Sequence, residues 1–345
     1  MRGVVFHGER ELEIRDYPDP SPGPREVIVK MKASGMCGSD LTSYRASRSE
    51  PAKIKLCIRG HEPSGVVFAR GSAVSEHEAP IGQRVMVHHF SGCGACRYCR
   101  SGYPQMCVEG YLTYGGGVDG GHADYIRVLP SMLIALPDEL TFEEGAAISC
   151  GSGTAYQGLR RLAVSGLDTL AVFGQGPVGL SATMFGKAMG ARIIALDISN
   201  ERLSLAREFG ADNTVNPNEQ DPVAAVRDLT HGEGADAVIE CTGKSPARVA
   251  AMKSARKWGR VCLVGAGGTT EFEITPLFIH KQLTVYGSWT LGTLEQADCA
   301  QFVIDRAIPL HRIYTHRFKL EEAAQAYELF DTQTTGKGVL VFDGG

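Results

Sequence analysis

The stretch SGCGACRYCRSGYPQMC places Cys93, Cys96, Cys99 and Cys107 in a C-x2-C-x2-C-x7-C array. Four thiolates this close can enclose a zinc ion tetrahedrally with no position left for substrate, so the site staples a loop and does no chemistry. A bacterial ferredoxin run shares the first two spacings but then has three residues before a Cys-Pro. Here the last gap is seven and Val108 follows Cys107, which favours zinc over an iron–sulfur centre. Disulfides are the third use of such a run. They are not expected, because MRGVVFHGERELEIRDYPDP has no apolar core of signal-peptide length and the expected location is the reducing cytoplasm.

A second set of metal-binding residue types is dispersed. Cys37 lies in GMCGSD, His61 and Glu62 in GHEPSG, and Cys150 in ISCGSG. Alone, each has a bland explanation: a single cysteine fills core, and a His-Glu pair sits on the surface. Together, two thiolates and an imidazole can hold zinc with a fourth position open to water or substrate.

A third motif, GQGPVG, supplies Gly174, Gly176 and Gly179, with Pro177 and Val178 between them. It follows the apolar run TLAVF and opens a helix-like segment, the context a dinucleotide fingerprint requires. The first glycine turns, the second lets the backbone approach a pyrophosphate, and the third packs helix on strand. Asp197 ends the next apolar run, where an acid can accept the ribose hydroxyls of NAD and repel the extra phosphate of NADP. Its bland alternative is a helix cap before ISNERL. Arg202, close by, could tolerate that phosphate, so NADP stays as an alternative that Asp197 makes the lesser expectation.

The elements that must position these residues fall into two textures. Up to about residue 150 the chain reads as short strands between glycines, as in REVIVKMKASG, SGVVFARG and GQRVMVHH. Beyond it, apolar runs alternate with helical patterns, through NTVN, DAVIECTG, RVCLVGAGG and LTVYGSWT, which predicts a parallel sheet. After about residue 290 the order is helix, loop, helix, strand. The 345 residues exceed one compact core. A charged content of 21%, a net charge of −4 and the lack of an 18-residue apolar run give no reason to expect nucleic-acid or membrane partners.

With these motifs in order, together with GQRV and GGHADY, the chain resembles the zinc-dependent medium-chain dehydrogenases of the alcohol and polyol dehydrogenase family. The resemblance implies an α/β architecture: a GroES-like, mostly-β catalytic domain over 1–150, completed by 290–345, around a doubly wound Rossmann domain over 151–289. It implies Cys37, His61 and Cys150 as ligands of a catalytic zinc, Glu62 as an acid close enough to join the metal, and Asp40 as the carboxylate behind the zinc histidine. The lobe cysteines would hold a second, structural zinc. Thr154, Val178 and Thr242 match positions at the nicotinamide, and Ser39 matches the inner hydroxyl of a proton relay. Thr42 stands where many relatives carry the relay's outer histidine. His89, Phe90, His122 and Trp289 are the candidates for the substrate pocket, and their mixture of polar and aromatic groups suits a polyol, cyclitol or sugar. The implied reaction oxidises such an alcohol to a carbonyl with hydride transfer to NAD, and the reverse. LTVYGSW is expected at the sheet edge, where the family pairs two copies into a homodimer or homotetramer. Rival readings are a zinc-free enone or quinone reductase of the same fold, and a non-catalytic nucleotide- or metal-binding protein.

Overall fold

The computed structural model describes residues 1–334 and 336–343. They form two compact units, the first Met1–Gly153 with Leu291–Gln333 and the residues from Lys337 onward, the second Thr154–Thr290 with Thr334 and Gly336. Compared with the expected boundary at 150/151, the first unit keeps Gly151–Gly153, because Gly153 packs so tightly that a Cβ there would meet Leu291 Cδ1 at 2.3 Å.

In the first unit, β1 (Arg2–Gly8) and β2 (Glu11–Asp16) form an antiparallel hairpin. A seven-stranded sheet contains β3 (Val27–Gly35), β4 (Glu62–Arg70) and β5 (Arg84–Val87). A small ribbon pairs β6 (Phe90–Ser91) with β7 (Leu112–Thr113). β8 (Tyr125–Val128) and β9 (Leu133–Ala135) pair with β3 and β5 respectively.

In the second unit, β10 (Thr169–Phe173), β11 (Arg192–Leu196), β12 (Asn213–Val215), β13 (Ala235–Glu240), β14 (Ala255–Leu263) and β15 (Thr284–Gly287) are all parallel. Their spatial order is β12-β11-β10-β13-β14-β15, so the winding reverses between β10 and β13. That reversal is the topological switch point at which doubly wound sheets bind ligands, beyond the carboxyl ends of the strands. The inner strands β10 and β11 are apolar through their middles, as a sheet buried on both faces demands: Leu170 to Val172 and Ile193 to Ala195 are fully buried. β15 stands at the sheet edge.

The chain then returns to the first unit, where β16 (Tyr314–Phe318) and β17 (Lys337–Val341) extend the first sheet beside β3. Between them the helix Ala323–Asp331 packs Tyr327 and Phe330 against Phe6, Met36, Leu41 and Tyr44. This apolar cluster ties the C-terminal helix to the GMCGSD segment. No helix among the described residues is long and apolar enough to cross a membrane.

Candidate active site

The antiparallel register of β3 and β4 sets Gly35 opposite Glu62. Cys37, two residues past the end of β3, and His61, one before β4, therefore meet. Cys150 arrives from a third direction. The helix that precedes it, Phe142–Ile148, starts at a capping box between Thr141 and Glu144, and Ser149 Oγ then donates to Pro63 O at 3.1 Å. One ligand atom from each of Cys37, His61, Glu62 and Cys150 lies within 4.8 Å of all the others. These donors suit a borderline-soft cation such as zinc.

The electrostatics also suit a cation. A hydrogen bond from Cys150 holds the Cys37 thiol well below its ordinary pKa, while that same bond and burial push Cys150 up. Burial opposes charge on His61, but Asp40 and Cys37 outweigh it and favour the charged ring. Asp40 Oδ1 lies 3.0 Å from His61 Nδ1, so Nδ1–H donates to the carboxylate and Nε2 is left to face a metal. Asp40 also accepts from Cys37 N at 3.0 Å. Its own burial resists ionisation, yet His61 and Arg59 keep the carboxyl far below the usual range.

Glu62 is fully buried, and a Cβ on Gly35 would fall 2.0 Å from its Oε2, so glycine is required there. Neither Glu62 oxygen has an aligned hydrogen bond, although Lys337 Nζ stands 2.5 Å from Oε2. Burial raises the Glu62 pKa to about 8, in spite of Lys337. Lys337 is itself buried and donates to Met36 O at 2.8 Å. It is a residue the sequence did not single out, since a lysine heading GKGVLV looks like a solvated strand end.

In the lobe, the four sulfurs of Cys93, Cys96, Cys99 and Cys107 likewise lie within 4.8 Å of one another. A tetrahedron of bonds of about 2.3 Å has edges of about 3.8 Å. This cluster therefore has the size for one ion rather than several irons. Backbone amides aim at the sulfurs, with Cys96 N 3.3 Å from Cys93 Sγ and Cys93 N 3.3 Å from Cys107 Sγ. Amides of Cys99 and Val108 lower the Cys96 pKa to about 6, whereas burial drives Cys99 up to about 12.

In the second unit GQGPVG joins β10 to the helix Pro177–Ala188, with Gly176 as N-cap and Pro177 in the first turn. Gly174 has φ +87°, a Cβ on Gly179 would sit 1.7 Å from Gly174 O, and a Cβ on Gly176 would meet nothing within 4 Å. The open space thus lies over a helix N-terminus without a side-chain cap, the cradle a pyrophosphate needs. Asp197 is not the helix cap: Ser199 caps Asn200–Glu208 by accepting from Arg202 N. Asp197 instead accepts from Gln175 N at 2.5 Å and Ser199 N at 2.9 Å, which ties it to the glycine loop. Burial lowers the Arg202 pKa, against the pull of Asp197. Thr242 contacts the same loop, since a Cβ on Gly174 would meet its Cγ2 at 2.6 Å, and it donates to buried Glu240. Val178 is half-buried in the helix's first turn, and Thr154 is buried.

Of the pocket candidates, His89 lies beside the metal ligands, its ring 5.1 Å from that of His61 and 4.3 Å from that of Phe90. His89 Nδ1 is 3.2 Å from Ser149 O, which fixes the proton on Nδ1 and makes Nε2 the acceptor. Burial keeps this ring neutral, aided by His61 and His88. Ser39 is exposed, with Oγ 3.4 Å from Cys37 Sγ and 3.3 Å from His61 Nε2. Thr42 is also exposed, one helical turn further. Trp289 is half-exposed and belongs to the second unit. His122 departs from expectation. It is fully buried, with Nδ1 2.7 Å from Ser34 Oγ and Nε2 2.8 Å from Tyr327 OH, so neither nitrogen is left for a substrate. A polar side chain in a glycine loop looked like a pocket group; packing made it an interior one.

A parallel-sheet unit with a glycine cradle, and a mostly-β unit with an open donor set and a closed four-cysteine lobe, define a two-domain nicotinamide-type dehydrogenase. The comparisons agree. The alcohol dehydrogenase GroES-like domain model matches residues 23–138, and the zinc-binding dehydrogenase model matches 177–307. The chain is 40% identical, over 99% of both chains, to the uncharacterised zinc-type alcohol dehydrogenase-like protein YphC of Escherichia coli (strain K12). It is 31% identical to the sorbitol dehydrogenase of Bacillus subtilis (strain 168), covering 95% of this chain and 93% of that one. Among solved structures, alcohol dehydrogenase TADH from Thermus sp. ATN1 superposes with a TM-score of 0.89 over 99% of both chains at 32% identity. The chain belongs to the zinc-dependent medium-chain dehydrogenase/reductase family and is an oxidoreductase.

Proposed function

We propose that this protein oxidises a polar secondary or primary alcohol, such as a polyol, cyclitol or sugar, to its carbonyl with NAD as hydride acceptor, and runs the reverse reduction. The observation that carries this reading is the convergence of partly buried Cys37 with buried His61, Glu62 and Cys150 within 4.8 Å. Cys37, His61 and Cys150 hold the catalytic zinc, Glu62 stands ready beside it, and the lobe cysteines hold a structural zinc, two per chain. Bound in these sites, zinc supplies Lewis-acid polarisation of a substrate oxygen and nicotinamide supplies the hydride acceptor. Asp40 keeps His61 in the tautomer that presents Nε2. Ser39, exposed beside Cys37 and His61, takes the hydroxyl proton at Oγ and passes it to solvent, which removes the need for a histidine at position 42. Neutral His89 offers an acceptor nitrogen for a second substrate hydroxyl, with Phe90 packed behind it. Such a group favours hydroxyl-rich ligands over simple alcohols, and a sorbitol dehydrogenase is among the relatives.

Gly174, Gly176, Pro177, Val178 and Gly179 cradle the pyrophosphate. Asp197 receives the ribose and disfavours NADP. Thr154, Val178 and Thr242 contact the nicotinamide half, and Trp289 lies on the same unit. The edge strand β15 pairs with its copy in a homodimer or homotetramer. The test is NADH formation from a panel of simple alcohols, linear polyols, cyclitols and aldoses, with zinc-loaded and chelator-stripped protein side by side. Zinc-dependent turnover of hydroxyl-rich substrates is expected; turnover confined to simple alcohols refutes the polar pocket, and turnover indifferent to zinc refutes the metal assignment.

A further inference from the structure

Asp40, the carboxylate behind His61, is reached from its far side by Tyr327, and His122 backs Tyr327 in turn; both come from distant parts of the chain. Tyr327 OH lies 3.3 Å from Asp40 Oδ2, and His122 Nε2 lies 2.8 Å from the same hydroxyl. Ser34 Oγ lies 2.7 Å from His122 Nδ1. All four residues are buried. The directions follow from what each group can do. The Asp40 carboxylate only accepts, so Tyr327 O–H donates to it. The phenol oxygen then accepts from His122 Nε2–H, which leaves Nδ1 bare to accept from Ser34 O–H. Every donor in this row points toward Asp40, and His61 Nδ1–H meets it from the other side.

The row is built into the backbone. Gly60, next to His61, has φ +91°, and a Cβ there would fall 2.3 Å from His122 Nδ1. His122 N donates to Arg59 O at 2.8 Å, and Val4 N donates to His122 O at 2.9 Å. The helix that carries Tyr327 is held by edge-on packing of its ring against Phe6, with centroids 4.7 Å apart. Rigid supports of this kind are what let an outer partner control the orientation of a metal ligand.

We propose that Ser34, His122 and Tyr327 are positioning residues that aim Asp40, and through it His61, at the catalytic metal. The inference rests on reading His61 as a zinc ligand. Deleting one link leaves a buried donor or acceptor unpaired and leaves Asp40 Oδ2 held by Cys37 N without its outer partner, so Asp40 is aimed less firmly and the metal is held less tightly although no ligand has changed.

The test uses full-length zinc-loaded protein and three variants: Tyr327→Phe, His122→Leu, and His122→Gln, whose amide can both donate to Tyr327 and accept from Ser34. Zinc release is followed against a competing chelator, with the four-cysteine zinc as internal reference, and the visible bands of cobalt-substituted protein report ligand geometry. Tyr327→Phe and His122→Leu are expected to give up one of the two zincs about tenfold more readily, the lower end for an outer partner. The second zinc should stay as in wild type, the cobalt bands should shift, and His122→Gln should restore both. Superimposable release curves and unshifted bands in all variants, with two zincs in wild type, overturn this inference alone. Parallel loss of both zincs in the variants also overturns it, because that marks general loosening. Wild-type protein that holds only the lobe zinc overturns the catalytic-zinc reading, and this inference with it.

Discussion

Gly176→Ala separates nucleotide binding from stability. Gly176 has φ −71° and ψ −174°, a conformation alanine adopts freely, so the backbone is not strained. The added Cβ would meet no protein atom within 4 Å, so nothing in the fold must move. The methyl would instead occupy the space over the helix N-terminus, where a pyrophosphate has to approach backbone N–H groups. Keeping the phosphates from one charge-assisted hydrogen bond costs about 1.5–3 kcal/mol. At 1.4 kcal/mol per decade, that weakens NADH binding by about 10- to 100-fold. The assay is a fluorescence titration with NADH beside the thermal midpoint of cofactor-free protein, which should not change. Gly179→Ala is the contrast: its Cβ would lie 1.7 Å from Gly174 O, so the helix must shift. Overpacking of this kind costs about 1–3 kcal/mol, and the cofactor-free midpoint should fall by about 2–4 °C for each kcal/mol. Wild-type NADH affinity in Gly176→Ala would refute the pyrophosphate cradle. A lowered midpoint in that variant would refute the reasoning from open space.

Cys37→Ser should abolish turnover and empty one zinc site while NADH binding persists, because the cradle belongs to the other unit; retained zinc-dependent turnover would show that Cys37 is no ligand. Asp197→Ala should weaken NAD binding and narrow the preference over NADP, and an unchanged ratio of the two Kd values would remove its ribose role. Burial lowers the His122 pKa from 6.5 to about 4, with His61, Arg59 and Lys337 adding to the effect and Asp40 opposing it. Between those values the unfolded chain carries the proton and the folded one does not. Stability tied to His122 therefore rises as pH rises from about 4 to 6.5 and is complete above that, by about 3 kcal/mol in all. The difference in unfolding free energy between wild type and His122→Gln should grow with pH through this window and then level off; a difference independent of pH would contradict a buried neutral His122.

The parts of the site visible in the sequence are those written in local spacing. Gly174, Gly176 and Gly179 act on one turn between one strand and one helix, so six consecutive residues state the whole requirement. The lobe cysteines are equally local. Cys37, His61 and Cys150 are joined in the sequence by donor type and family resemblance rather than by spacing, and physically it is the Gly35–Glu62 register of β3 and β4, with Ser149 anchored to Pro63, that unites them. Lys337 and Tyr327 had no such signal. Each meets its partner across nearly the full chain, Lys337 at Met36 and Tyr327 at Asp40, and what buries them is the return of β17 and the C-terminal helix to the first sheet. For His122 the sequence pointed the wrong way. Its residue type suggested contact with a ligand, while its position opposite Gly60 made it part of the interior. The missing Cβ of Gly60 and the ring of His122 fit one another, and that pairing between GHEPSG and GGHADY appears only once β-type contacts place residue 59 against residue 122. Burial keeps His122 neutral, and its two hydroxyl partners then fix the tautomer, so here it is suited to orienting a neighbouring group rather than to exchanging protons.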